Sequence, residues 1–104
     1  MTAPLKAARL SELAEDSAIR VERAGRPGCI ARSGGSVYAI SDICSHADVA
    51  LSEGDVEDGR IECWLHGSLF DLRTGEPTGL PATRPVPTFP VTVEGDDVLV
   101  QMES

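Results

Sequence analysis

The chain has 104 residues, a length that favours one domain spanning residues 1–104. Its formal net charge is −8. The charge is uneven, because residues 1–41 hold six basic and four acidic side chains whereas residues 42–104 hold three basic and thirteen acidic ones. The acidic part repels nucleic acid, so we expect no nucleic-acid partner.

Membrane and secretory features are not evident in the sequence. No apolar run approaches the roughly 20 residues that span a bilayer, and the first sixteen residues lack the apolar core of a secretory signal. We therefore expect a cytoplasmic protein with no membrane anchor. Cys29 lies in an apolar stretch and is interpreted as a small buried hydrophobe. If Cys44 and Cys63 bind metal, Cys29 is the one cysteine left, so we expect no disulfide within the chain.

The first forty residues predict short strands joined by turns. Residues 11–16 open like a helix of at most a turn or two, and Arg26-Pro27-Gly28 predicts a turn. Ser-Gly-Gly-Ser at 33–36 predicts a hairpin between two β-prone runs. The strands predicted in this part are 5–9, 18–23, 29–32 and 37–40.

The later residues continue the same pattern. Short strands are predicted at 55–56, 60–62, 68–72, 91–94 and 98–101. Residues 76–90 contain five of the seven prolines, and since proline cannot donate to a ladder, we predict an irregular covering loop there. Many short strands with turn signals predict an all-β fold, an antiparallel sandwich or barrel.

Four candidate metal ligands stand in two pairs. Cys44 and His46 form Cys-x-His, and Cys63 and His66 form Cys-x-x-His after sixteen intervening residues. Two thiolates and two imidazoles suit either an iron–sulfide cluster or zinc. Structural zinc sites usually pair cysteine with cysteine and histidine with histidine, so the mixed pairs are unusual for zinc. A third alternative is that the four residues belong to the core and bind nothing.

The residues after His66 carry a resemblance to a known family. They include Gly67, Phe70, Asp71, Thr74–Gly75 and Pro81. With the two ligand pairs, the chain from about Val37 to Val93 resembles the small Rieske [2Fe–2S] ferredoxins of bacterial ring-hydroxylating dioxygenases, such as the phenylpropionate/cinnamate dioxygenase system. Trp64 departs from the family, which usually has proline there.

The resemblance implies a Rieske fold, in which an antiparallel β-sandwich or barrel base carries a small cluster-binding subdomain at about residues 42–84. Two ligand loops and a covering proline loop make up that subdomain. The resemblance also implies one [2Fe–2S] cluster, with Cys44 and Cys63 on the inner iron and His46 and His66 on the outer iron near solvent.

The function expected is electron transfer without catalysis. Mononuclear-iron oxygenase chemistry needs two histidines and a carboxylate, but the chain has only two histidines and the cluster takes both. No nucleotide-binding glycine motif is present, and the end of the chain soon after its last predicted strand leads us to expect no oxygenase domain. We expect a monomeric one-electron carrier between a flavin-dependent NAD(P)H reductase and a terminal oxygenase. Two alternatives are a ferredoxin for iron–sulfur cluster assembly and a small non-catalytic subunit of a nitrite-reductase-like enzyme.

Two features near the ligands bear on partners. Residues 48–62 carry six acidic side chains against Arg60 alone, which indicates either solubility or a docking face for a basic partner. Trp64 is interpreted first as packing on the cluster loop and second as an exposed contact for partners.

Overall fold

The computed structural model describes residues 5–23, 26–43, 49–64, 67–78 and 84–101. Within these ranges it contains ten β-strands and two 3₁₀ helices, the latter at Leu10–Glu12 and Leu51–Glu53. The strands are β1 (Leu5–Arg9), β2 (Ser17–Arg23), β3 (Arg26–Ser33), β4 (Ser36–Ser41), β5 (Val56–Glu57), β6 (Arg60–Glu62), β7 (Leu69–Asp71), β8 (Thr88–Phe89), β9 (Val91–Glu94) and β10 (Asp97–Val100).

The strands form three antiparallel sheets. A four-stranded sheet has the order β2-β3-β4-β8, a second sheet the order β1-β10-β9, and a third the order β5-β6-β7. Every paired strand in the described part of the chain is antiparallel. This confirms the predicted all-β antiparallel class. The strand predicted at 5–9 is also confirmed as β1, which lies at the edge of its sheet.

The four-stranded sheet is the middle layer, with a core on each face. Successive side chains of a strand point to opposite faces. Along β3, Cys29 and Ala31 enter one core with Leu51. Ile30 enters the other core with Val98. One face of this sheet therefore supports the β1-β10-β9 sheet, and the opposite face supports the β5-β6-β7 sheet and the second 3₁₀ helix.

Two hairpins follow directly from local residue chemistry. Gly34 and Gly35 have φ of 61° and 79° and join β3 to β4, as the Ser-Gly-Gly-Ser motif predicts. Asp58 and Gly59 have φ of 52° and 75° between β5 and β6. This left-handed backbone favours glycine and tolerates aspartate, so both turns carry suitable residues.

The turn predicted at Arg26-Pro27-Gly28 is wrong, since β3 begins at Arg26. Pro27 pairs with Glu22 of β2, and its carbonyl accepts a hydrogen bond from the Asp42 N–H at 3.2 Å. The N–H and C=O of a strand residue point to the same side, so the donor that proline lacks would face β4. The β3–β4 pairing begins only at Gly28, so no ladder bond is lost.

The irregular loop predicted at 76–90 is wrong in part. Thr88 and Phe89 form β8 and pair with Ile40 and Ala39 of β4. The strand is two residues long and lies at the sheet edge between Pro87 and Pro90, which is where prolines are tolerated. Residues 79–83 lie outside the described ranges.

The first 3₁₀ helix confirms that the helix-like opening at 11–16 amounts to no more than a turn. Ser11 holds it in place, because its N–H and its Oγ each donate to the Asp96 carboxylate at 2.8 Å. These bonds, the side-chain one foremost, lower the pKa of Asp96. The helix is thereby fastened to the turn between β9 and β10.

We expect Ser11→Ala to lower thermal stability at pH 7 and to lose most of that effect in acid. A lowered pKa means that the folded state favours the ionised carboxylate more than the unfolded chain does. The contribution is therefore complete above the ordinary aspartate pKa of about 3.9 and disappears as the pH falls through the lowered value. Thermal unfolding at several pH values measures this. Ser11→Thr keeps a hydroxyl and is the control, and a Ser11→Ala deficit independent of pH would contradict the explanation.

Candidate metal centre

The structure describes one of the four predicted ligands. Cys63 follows β6 and is fully buried. Cys44, His46 and His66 lie outside the described ranges. Among the residues within those ranges, no group of three or more Cys, His, Asp or Glu side chains is placed to hold a metal ion. The described segments that flank the four predicted ligands are held as follows.

The first ligand pair belongs to a segment whose two ends are held together. Ile43 and Ala50 form an isolated antiparallel bridge on either side of residues 44–48. One residue further out, the Leu51 N–H donates to the Asp42 carbonyl at 2.7 Å. Val49 and Leu51 pack into the core that also contains Cys63.

The second ligand pair belongs to the loop between β6 and β7. Glu62 pairs with Leu69 at the ends of these strands. The Cys63 N–H donates to the Ser68 carbonyl at 2.7 Å, and the Gly67 N–H donates to the Cys63 carbonyl at 2.8 Å. Gly67 has φ of 76°, a left-handed conformation that favours glycine and lets the chain turn there. Cys63 is thus fixed at the start of a tight, hydrogen-bonded loop.

The chain leaving the first loop contacts the chain entering the second. The Glu62 N–H donates to the Asp55 carbonyl at 2.8 Å. Gly54 lies so close to Glu62 that a Cβ on it would stand 1.6 Å from the Glu62 carbonyl oxygen. Only glycine fits this approach. One buried thiol, with both ligand-bearing segments anchored to the same core, fits a metal centre shared between two loops.

The third segment of the predicted subdomain is also anchored at both ends. Before residues 79–83, the Thr78 N–H donates to the Leu69 carbonyl at 2.7 Å. After them, the Val86 N–H donates to the Gly75 carbonyl at 2.8 Å. Pro81, assigned by resemblance to the covering loop, lies outside the described ranges.

The environment of Cys29 confirms its interpretation as an inert hydrophobe. It is fully buried, and burial first, then the nearby negative charge of Asp42, raises the pKa of its thiol. A thiol with a raised pKa stays protonated and is a poor nucleophile and metal ligand.

The exposure of Trp64 favours the second of its two interpretations, that of a contact surface for partners. Its side chain is 50% exposed, whereas its neighbour Cys63 is fully buried. The indole therefore presents an apolar surface to solvent directly beside the buried thiol of Cys63. Four carboxylates on the preceding segment are exposed as well, namely Glu53, Asp55, Glu57 and Asp58.

Asp42 and Gly54 were not identified from the sequence. Asp42 is the fully buried carboxylate that directly precedes Ile43 and the first predicted ligand pair. The burial of a charged side chain has no local sequence signal, which is why Asp42 was overlooked. Gly54 ends the second 3₁₀ helix in Ser-Glu-Gly, which the sequence analysis treated as ordinary turn chemistry.

Comparison with known proteins adds a family. The Rieske [2Fe–2S] domain model matches residues 3–90. The chain is 48% identical over 92 residues to the ferredoxin component of biphenyl 2,3-dioxygenase from Rhodococcus jostii RHA1, a match covering 88% of this chain and 86% of the relative. It is 49% identical over 70 residues to the 3-phenylpropionate/cinnamic acid dioxygenase ferredoxin subunit of Shigella boydii serotype 4, covering 66% of each.

A solved structure agrees. The chain superposes with a TM-score of 0.90 and 34% identity on a chain from the complex of reduced oxygenase and oxidized ferredoxin in carbazole 1,9a-dioxygenase. The match covers 99% of this chain and 100% of the other.

The match to the Rieske [2Fe–2S] domain model over residues 3–90, on a fold of three antiparallel sheets, places the chain in the class of small iron–sulfur proteins. The chain belongs to the Rieske [2Fe–2S] domain family, as its resemblance to that family predicted. It binds one Rieske-type [2Fe–2S] cluster and acts as an electron carrier, not as an enzyme. No helix among the residues that the structure describes is long and apolar enough to cross a membrane.

We expect Gly75→Ala to destabilise the protein more than Gly35→Ala does. The two glycines have φ of 78° and 79°, so an alanine meets the same backbone strain, about 1 kcal/mol, at both. At Gly75 the new Cβ would also stand 2.1 Å from the Val86 carbonyl oxygen, whereas at Gly35 it meets nothing within 4 Å. Thermal unfolding of both variants measures the difference. Equal losses would show that the Gly75–Val86 contact does not hold the end of the covering loop.

Proposed function

We propose that Cys44, His46, Cys63 and His66 hold the cluster, the cysteines on the inner iron and the histidines on the outer one. We further propose that the protein passes single electrons from a flavin-dependent NAD(P)H reductase to a non-heme-iron oxygenase that attacks aromatic rings. The observation that carries the proposal is the anchoring of both ligand-bearing segments to the core around buried Cys63.

When bound, the cluster supplies reversible one-electron exchange. The contribution of the chain is to keep its ligands in place. Main-chain hydrogen bonds close the loop that begins at Cys63, and the Ile43–Ala50 bridge closes the segment with the first pair. Ligands on closed loops lose less conformational freedom on binding, which favours tight retention of the cluster.

The names of the relatives support the oxygenase as recipient. The two relatives at 48% and 49% identity are ferredoxin components of dioxygenases that act on aromatic compounds. The superposed structure is a complex of an oxygenase with a ferredoxin. These relatives favour the oxygenase over the two alternatives, cluster assembly and a nitrite-reductase-like enzyme. The reductase is proposed from the same resemblance.

A docking surface adjoins the buried ligand. We define it as Trp64 together with the exposed carboxylates Glu53 and Asp55, which belong to the segment that contacts Glu62 just before Cys63. The indole offers apolar contact area, and tryptophan is common among residues that dominate binding energy. The carboxylates favour a basic partner and accelerate encounter with it. This surface suits short-lived complexes with successive partners.

The cofactor assignment predicts about two irons and two acid-labile sulfides per chain in a red-brown protein. Cys63→Ser should lose the cluster, and His66→Cys should shift the electron paramagnetic resonance signal of the reduced protein toward the all-cysteine type. Iron and sulfide analysis with that resonance measurement checks both. Cys29→Ala is the matched control, since it removes a buried thiol and should leave the cluster in place. One zinc per chain without sulfide would contradict the assignment.

The electron-carrier role predicts that product formation by a reconstituted reductase and ring-hydroxylating oxygenase depends on this protein. The double variant Glu53→Gln/Asp55→Asn should slow electron transfer roughly threefold or more at low salt, and less at high salt, because steering by charge is screened. Stopped-flow reduction of the oxygenase measures the rate.

The control for this experiment removes negative charge from the β1-β10-β9 sheet instead of the docking surface. Glu94→Gln and Asp96→Asn neutralise two carboxylates at the β9–β10 turn, far along the chain from the docking surface. These changes should leave the rate within experimental error of the wild type. Equal slowing by both sets, or a wild-type rate that does not depend on salt, would leave the acidic segment as a solubility feature.

A further inference from the structure

Asp42 is a buried carboxylate immediately before the first ligand loop. Its side chain is fully buried, and it accepts from the Ser52 N–H at 2.6 Å on Oδ1 and from Ser52 Oγ at 2.9 Å on Oδ2. The guanidinium of Arg20, on β2, reaches Oδ2 at 3.1 Å. Burying a carboxylate is costly unless it is paired and hydrogen-bonded, and both carboxylate oxygens have partners here.

Main-chain contacts at the same residue complete the arrangement. The Leu51 N–H donates to the Asp42 carbonyl at 2.7 Å, and the Asp42 N–H donates to the Pro27 carbonyl at 3.2 Å. Asp42 therefore joins the end of β4 to the second 3₁₀ helix. We call the three bonds from Leu51 and Ser52 to Asp42 the loop clasp. Between its two sides lie the eight residues 43–50, which include Cys44 and His46.

The same clasp occurs a second time in the chain. In the first 3₁₀ helix, the Leu10 N–H donates to the Asp96 carbonyl at 2.7 Å, and both donors of Ser11 reach the Asp96 carboxylate at 2.8 Å. We call this the base clasp. Both helices read Leu-Ser-Glu. A short Leu-Ser-Glu turn that docks on an aspartate through three bonds is thus a repeated device.

The two clasps differ in surroundings and in what they enclose. Asp96 is exposed, and its clasp fastens a turn of the base that carries no predicted ligand. Asp42 is buried, has Arg20 as its cation, and encloses the first ligand pair. Opening the loop clasp would leave a buried carboxylate without its Ser52 donors, which costs more than opening the exposed clasp. The residues that flank segment 43–50 are therefore held together by bonds within the chain itself.

We propose that Asp42 is a positioning residue that acts through Ser52 to hold the two flanks of segment 43–50 together, and that the cluster is retained more tightly because of this. This inference rests on the ligand set proposed above. It assigns the retention of the cluster to a hydrogen-bonded carboxylate in addition to the ligands themselves.

The test compares the two clasps in the purified cluster-containing protein. Ser52→Ala removes one donor of the loop clasp. Asp42→Asn removes the negative charge to which the Ser52 N–H, the Ser52 hydroxyl and the Arg20 guanidinium all donate. Both should release iron to a chelator about tenfold faster or more than the wild type, and both should change the visible circular dichroism of the cluster. Ser52→Thr keeps the hydroxyl and should restore wild-type release. Ser11→Ala and Asp96→Asn break the matched bonds of the base clasp and should leave release and dichroism unchanged.

A second measurement does not depend on the cluster. Hydrogen exchange at the Leu51 and Ser52 amides should be faster in Ser52→Ala than in the wild type, whereas exchange at those amides should be unaffected by Ser11→Ala. If both clasps affected iron release equally, the effect would be general destabilisation and the proposal would fail. Unchanged release in Ser52→Ala and Asp42→Asn would also overturn it. If the wild type held no iron but the exchange result stood, the ligand set would be wrong while the closure of the loop by Asp42 would stand.

Discussion

The structure depends on one sheet that has to be apolar on both faces. In β3 and β4 adjacent residues serve opposite cores, so that Cys29 and Ile40 support the ligand side while Ile30 and Ala39 support the base. A strand buried on both faces cannot show the alternation of apolar and polar residues that marks a half-buried strand. The β5-β6-β7 sheet and the second 3₁₀ helix therefore pack on a sheet whose opposite face is packed against the β1-β10-β9 sheet.

This constraint explains which parts of the fold the sequence predicts. β2 alternates in the expected way because it lies at an edge of the middle sheet, and the Gly34–Gly35 hairpin has a direct backbone cause. The turn predicted at Pro27 was wrong because proline disrupts a strand only where the N–H it lacks would have bonded to a neighbouring strand. That information is a property of pairing register and not of local sequence. The strand at 88–89 was missed for the same reason, since its neighbouring prolines are harmless only at an edge.

The candidate site also contains some residues that the sequence predicts and others that only the structure reveals. The Cys-x-His and Cys-x-x-His pairs are visible in the sequence because ligand chemistry restricts residue type, and the glycine at 67 follows from the turn beside them. The residues that support the pairs are not visible. Asp42 becomes meaningful only when Ser52 and Arg20 are brought to it from elsewhere in the chain. Trp64 was assigned to packing because apolar residues are usually buried, and its exposure follows from its place in a loop beside the core rather than in it.

The buried carboxylate of Asp42 also helps to explain why the third cysteine, Cys29, does not compete with the proposed ligands for metal. Cys29 and Cys63 belong to one core, yet Cys29 lies within a ladder, paired with Arg20 on one side and Ile40 on the other. Its backbone is therefore held at two edges and its thiol is kept protonated, by burial first and by the Asp42 charge second. Metal binding requires the thiolate, so the raised pKa opposes ligation by Cys29. Cys63 instead lies just after the end of β6, where main-chain hydrogen bonds to Gly67 and Ser68 hold it in a turn and not in a strand ladder. Cys29 is therefore kept protonated inside a strand ladder, whereas Cys63, the proposed ligand, lies in a turn outside the ladders.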